Sequence, residues 1–128
     1  MNYYMHKKLR ICIDLDGTIC ELRKSGETYA DVLPKDGAKK MIDALKLYGH
    51  EIIIHTARNM GTQQHNVGKV MKNIGKTTLD WLEKHNIQYD EIFFGKPNAD
   101  LTIDDRALRL NSWNEITEEV IFNLAKDE

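Results

Sequence analysis

Four short aliphatic runs, each stopping at residues that do chemistry, constrain this chain more than any other feature. Leu9-Arg10-Ile11-Cys12-Ile13-Asp14 is rich in β-branched residues and is cut off by Asp16-Gly17, so it reads as a buried strand. Glu51 to His55 is a second strand, Asp90 to Phe94 a third, and Leu101-Thr102-Ile103-Asp104 a fourth. Strands that are aliphatic without polar alternation predict a parallel sheet with helices on both faces. The fold class expected is α/β, a single Rossmann-like domain. In such sheets ligands sit beyond the carboxyl ends of the strands, so the strand ends are where function is sought.

The segments between fit this plan. Residues 19–33 are polar, contain Gly26, and read as a loop or small hairpin. Pro34 and Asp36 open a helix with Asp36 as N-cap, and Ala38, Met41, Ile42 and Leu45 share its buried face until Gly49 ends it. Residues 57–76 carry three glycines among Asn and Gln, and read mostly as loop with room for a short helix. A helix starts at Thr77 or Thr78 and buries Leu79 and Leu82. Ser112 with Glu115 resembles a capping box before a last helix with Ile116, Val120 and Leu124 on one side.

At 128 residues the chain is just under one typical domain, long enough for one core without staples. Its 18 basic and 20 acidic residues leave a formal charge of −2 with no long block of either sign. That argues against a nucleic-acid coat or a polybasic membrane anchor. Cys12 and Cys20 form neither a CxxC pair nor a disulfide framework. No signal-like segment opens the chain, and its longest purely aliphatic run is Ile52-Ile53-Ile54. A cytoplasmic protein is expected.

The strand ends supply four carboxylates, one hydroxyl and one lysine. The first gives Asp14-Leu15-Asp16-Gly17-Thr18, the second His55-Thr56-Ala57-Arg58, the third Gly95-Lys96-Pro97, the fourth Asp104-Asp105-Arg106. Unpaired carboxylates do not help a core. The chemistry that fits is phosphoryl transfer onto a carboxylate. A carboxylate approaching a phosphate dianion at ~3.3 Å meets repulsion of about 10 kcal/mol at an effective dielectric of ~20. Cations must offset it, and Mg²⁺ held by Asp14 and Asp104 with the ammonium of Lys96 would do so. Asp16 can protonate the leaving oxygen and then deprotonate water. Gly17 permits a tight turn that turns amides toward phosphate oxygens, and Thr56 can donate its hydroxyl.

Asp-Leu-Asp-Gly-Thr at 14–18 resembles the first motif of the haloacid dehalogenase (HAD) superfamily. Thr56, Lys96 and Asp104-Asp105 match its second, third and fourth motifs in order. The stretches 29–34, 55–60, 66–69 and 103–107 are also similar to small HAD proteins described as capsule polysaccharide biosynthesis phosphatases. The resemblance implies Asp14 as nucleophile and Asp16 as general acid/base. It implies Thr56 and Lys96, with Gly17 and Ala57, around the phosphoryl group. Mg²⁺ would be held by Asp14, the main-chain carbonyl of Asp16, and Asp104 or Asp105. It implies a HAD-type fold, and the gaps between motifs are too short for a cap domain. The site would be open, or closed by the 19–33 segment, the 59–76 segment or a second copy in a homo-oligomer.

The expected activity is hydrolysis of a small phosphorylated sugar or polyol in surface-polysaccharide synthesis. Arg58, Asn66, Lys69 and Arg106 are candidate substrate contacts, although either arginine could equally pair with a nearby Asp. Two rivals are a nucleic-acid 3′-phosphatase, which near-neutral charge disfavours, and a non-enzymatic phospho-accepting module. Neither membrane nor nucleic acid is an expected partner.

Overall fold

The structure, a computed structural model, describes residues 7–125. Three strands, β1 (Arg10–Asp14), β2 (Glu51–Thr56) and β3 (Glu91–Phe94), form one parallel sheet in the order β1-β2-β3. Three helices accompany them: α1 (Ala38–Leu47), α2 (Val67–Lys84) and α3 (Glu118–Ala125). The register sets Asp14 beside His55 and His55 beside Phe93, so the strand ends lie level.

Parallel neighbours need crossovers, and these are nearly always right-handed. Two successive right-handed crossovers stepping in one direction put both helices on one face. That is where α1 and α2 lie: Ile42 and Leu45 of α1 and Trp81 and Leu82 of α2 share a core with Ile13, Leu15, Ile52 and Ile54. The opposite face carries an exposed Cys12 and an exposed Phe93. The expectation of helices on both faces is therefore corrected.

Two helix boundaries also differ from expectation. α1 is capped at Gly37 rather than Asp36, without a side-chain cap. α2 starts ten residues ahead of Thr77, with Asn66 Oδ1 accepting from Lys69 N. Asn and Gly in 66–76 disguise it, since each interior glycine costs about 1 kcal/mol of helix propensity. Burial of Val70, Ile74, Thr78, Trp81 and Leu82 at helical spacing outweighs that cost. Leu79, expected in the core, is exposed at 39%. Ser112 caps a short 3₁₀ turn at Trp113–Glu115, and α3 begins after Thr117, whose Oγ1 accepts from Val120 N. Ile116 is buried, but Leu124 is exposed.

The largest departure is the fourth run. Residues 101–104 form no strand. Leu101 is 72% exposed and Ile103 93% exposed. Among the described residues, no helix is long and apolar enough to cross a membrane.

Candidate active site

Asp14 closes β1, and its Oδ1 lies 3.3 Å from Lys96 Nζ. Both side chains are about one third open to solvent. Backbone bonds aim Lys96: the amides of Gly95 and Lys96 both donate to Thr56 O, at 3.2 and 3.1 Å, stitching the end of β3 to the end of β2. Gly95 has φ +99°, and a Cβ there would stand 2.9 Å from Val67 Cγ2. Only glycine allows the start of α2 to approach this turn so closely. Asn66 and Lys69 are exposed in that first turn of α2.

His55 shares the Asp14–Lys96 environment. Partial burial and the Lys96 ammonium push its imidazole below the ordinary histidine value, while Asp14 pulls it up. In the turn after β1, Gly17 has φ +82° and donates its amide to Cys20 O at 2.8 Å. Gly17 therefore shapes the tight turn expected of it, and its own amide is engaged within that turn. Ala57 is half-buried against Met60, Val70 and Ile74.

A second cluster lies beside the first. The Arg58 side chain is fully buried; its Nε and Nη2 grip Asp16 at 2.9–3.1 Å, and its Nη1 donates to Thr78 Oγ1 at 3.1 Å. Its guanidinium also stacks 4.3 Å from the centre of the Tyr29 ring. Of the two roles weighed for Arg58, the structure chooses the pair with an Asp. Thr56 is completely buried, and its Oγ1 accepts from Arg58 N at 3.1 Å. Cys20 donates to Asp16 Oδ1 at 3.3 Å; burial, then the Asp16 carboxylate, pushes its thiol up to about 12. It remains a thiol at neutral pH, not a nucleophile.

Tyr29 and Thr78 escaped the sequence reading. Nothing local announces either: Thr78 meets Arg58 across twenty residues, and Tyr29 sits in a polar stretch without periodicity. Tyr29 also borders a cleft of about 360 Å³ walled by Arg23, Thr28, Asn59, Asn73 and Thr77.

Asp104 and Asp105 do not join Asp14 within the chain. Both are exposed, and Asp104 Oδ1 accepts instead from Arg106 N at 3.0 Å. Arg106 is exposed on the same segment. Among the described residues, no three His, Cys, Asp or Glu side chains gather as a metal cage. The oxygen donors expected for Mg²⁺ are present in the chain but not assembled by it.

No family model matches the chain. A structural-genomics target from Vibrio cholerae, known from its crystal structure, is 38% identical, with a TM-score of 0.80 over 92% of this chain and 96% of that one. The two share one fold over nearly their whole lengths. Two curated relatives from Microplitis demolitor bracovirus, the protease inhibitors Egf1.5a and Egf1.0, are each 27% identical over 112 residues. The match covers 88% of this chain but only 25% and 37% of those proteins.

Proposed function

We propose that the chain is a phosphomonoester hydrolase in which Asp14 is the nucleophile. The observation that carries this reading is the Asp14–Lys96 pair, 3.3 Å apart and partly open, at the carboxyl end of a parallel sheet. An Asp14 oxygen bonds to phosphorus as the ester oxygen departs, and water then cleaves the aspartyl-phosphate to release inorganic phosphate. The Lys96 ammonium, already touching Asp14, can slide onto the phosphoryl oxygens and offset part of the charge repulsion. Asp16 serves as acid and base once it exchanges Arg58 for the leaving oxygen. Its side chain keeps 22% of its surface open for that exchange.

A sugar or polyol phosphate is the substrate class of this reading, and the cleft beside Tyr29 would offer it hydroxyls, amides and the Arg23 guanidinium among Glu27, Ala30 and Ile74. A role in surface-polysaccharide synthesis rests on the HAD resemblance alone. One chain does not gather the Mg²⁺ donors Asp14, Asp104 and Asp105 into a single site. The test is phosphate release from an aryl phosphate. Asp14→Asn should lower the rate at least about a thousandfold. An unchanged rate in that variant would overturn the reading.

A further inference from the structure

The sheet leaves β1 at its edge: within the described residues it pairs with β2 alone. The same chain leaves an unused strand outside. Residues 97–112 depart from the sheet after Lys96 and return at Leu110, which packs against the core, and at Trp113, whose Nε1 donates to Thr18 O at 2.7 Å. Between those anchors, Leu101 and Ile103 project into solvent. An exposed apolar, β-branched run and a bare strand edge are complementary surfaces.

They cannot meet as parallel strands within one chain. Leu101 would have to pass three strand spacings sideways, about 14 Å, and drop the four residue levels between Phe94 and Ile11, about 13 Å. That diagonal is roughly 19 Å. Gly95 and Lys96 are pinned to Thr56 O, so only residues 97–100 remain to span it, reaching about 17 Å fully extended. Parallel crossovers ordinarily take a dozen residues or more. An antiparallel pairing is within reach, but it would carry Asp104 to the far end of the sheet from Asp14.

We infer that two copies exchange residues 97–112, each adding Leu101–Asp104 as a parallel strand to the outer edge of the other's β1 and so bringing Asp104 and Asp105 to the other's Asp14. The side-chain pattern fixes the register. Leu-Thr-Ile-Asp at 101–104 laid beside Ile-Cys-Ile-Asp at 11–14 matches apolar with apolar and carboxylate with carboxylate. Leu101 and Ile103 then fall on the face of Ile13, which is buried, and Thr102 and Asp104 on the face of Cys12 and Asp14. The exchange is self-complementary, as a two-fold dimer requires. It also assembles an oxygen-only set of three carboxylates, which suits Mg²⁺. That consequence and the choice of a parallel over an antiparallel pairing rest on the phosphatase reading, whereas the covalent test of the exchange below does not.

Two experiments test it. In Thr102→Cys the new thiol would lie beside Cys12 of the other copy, within disulfide reach. Mild oxidation should give a covalent dimer, and adding Cys12→Ser should abolish it. A chain that stays single on oxidation, or a dimer that survives Cys12→Ser, overturns the exchange. The second mixes Asp14→Asn with Asp104→Asn/Asp105→Asn, both inactive alone, by co-refolding. Exchange puts all the lesions in one site of each mixed dimer and none in the other, so about a quarter of wild-type phosphate release should return. No recovery from active wild-type protein overturns the composite site. A cross-linked wild-type background that releases no phosphate supports the exchange and counts against the phosphatase reading.

Discussion

Asp16 spends its charge on Arg58, whose side chain is fully buried, so disturbing this pair costs stability. Asp16→Asn removes one charge from beside a guanidinium with no exposed side-chain surface. Losing one partner of a buried pair costs about 3–5 kcal/mol, and the part-exposed Asp16 side lowers this to about 2–3 kcal/mol. The midpoint of urea unfolding should drop accordingly, and a shift below about 0.5 kcal/mol would show the pair to be energetically idle. His50 makes a pH prediction. Its Nδ1 accepts from Leu9 N at 3.0 Å, and burial followed by the nearby Lys8 holds the imidazole below its ordinary 6.5. As pH falls below 6.5, the unfolded chain binds a proton that the folded chain refuses, so stability declines toward the folded value. The unfolding midpoint should therefore fall between pH 7 and 5.5, and less steeply in His50→Gln. Equal slopes would assign the decline to other groups, His55 and His85 being similarly depressed.

At the level of elements, the contact of the β3–Lys96 turn with the start of α2 decides where the lysine points. Gly95→Ala would force an L side chain to φ +99° and drive its Cβ to 2.9 Å from Val67 Cγ2. Strain of about 1–3 kcal/mol is expected, together with slower phosphate release as Lys96 shifts. Pairing it with Val67→Ala should relieve the collision but not the backbone strain, recovering part of the stability. Full recovery would mean that φ costs nothing there. α2 itself repeats the lesson: Gly68, Asn73 and Gly75 read as loop, yet the helix holds because tertiary burial of its Val70–Leu82 face exceeds the propensity deficit. Helix propensity is local, and that burial is not.

For the whole molecule, the exchange of residues 97–112 would couple stability to association. Thermal unfolding should then depend on protein concentration, its midpoint rising over a hundredfold increase. Ile103→Asp, at a side chain exposed in the single chain, should remove the dependence and leave far-UV circular dichroism unchanged. A midpoint independent of concentration in both proteins would place the unit of folding in the single chain.

Several features were legible from residues alone. The period and β-branching of three aliphatic runs sufficed for a parallel α/β sheet, since parallel strands buried against helices need little more than continuous apolar sequence. The placement of Asp14, Thr56 and Lys96 at strand ends was legible for the same reason: each directly follows such a run. The partnership of Asp16 with Arg58, Thr78 and Tyr29 was not, because it joins segments that no local pattern relates. The fourth run was read as a strand from its own composition, and composition carries no information on whether four free residues can span a sheet. Three-dimensional placement, which no local pattern records, left Leu101–Asp104 without a strand partner among the described residues and kept Asp104 and Asp105 apart from the site that the motif resemblance had assigned them.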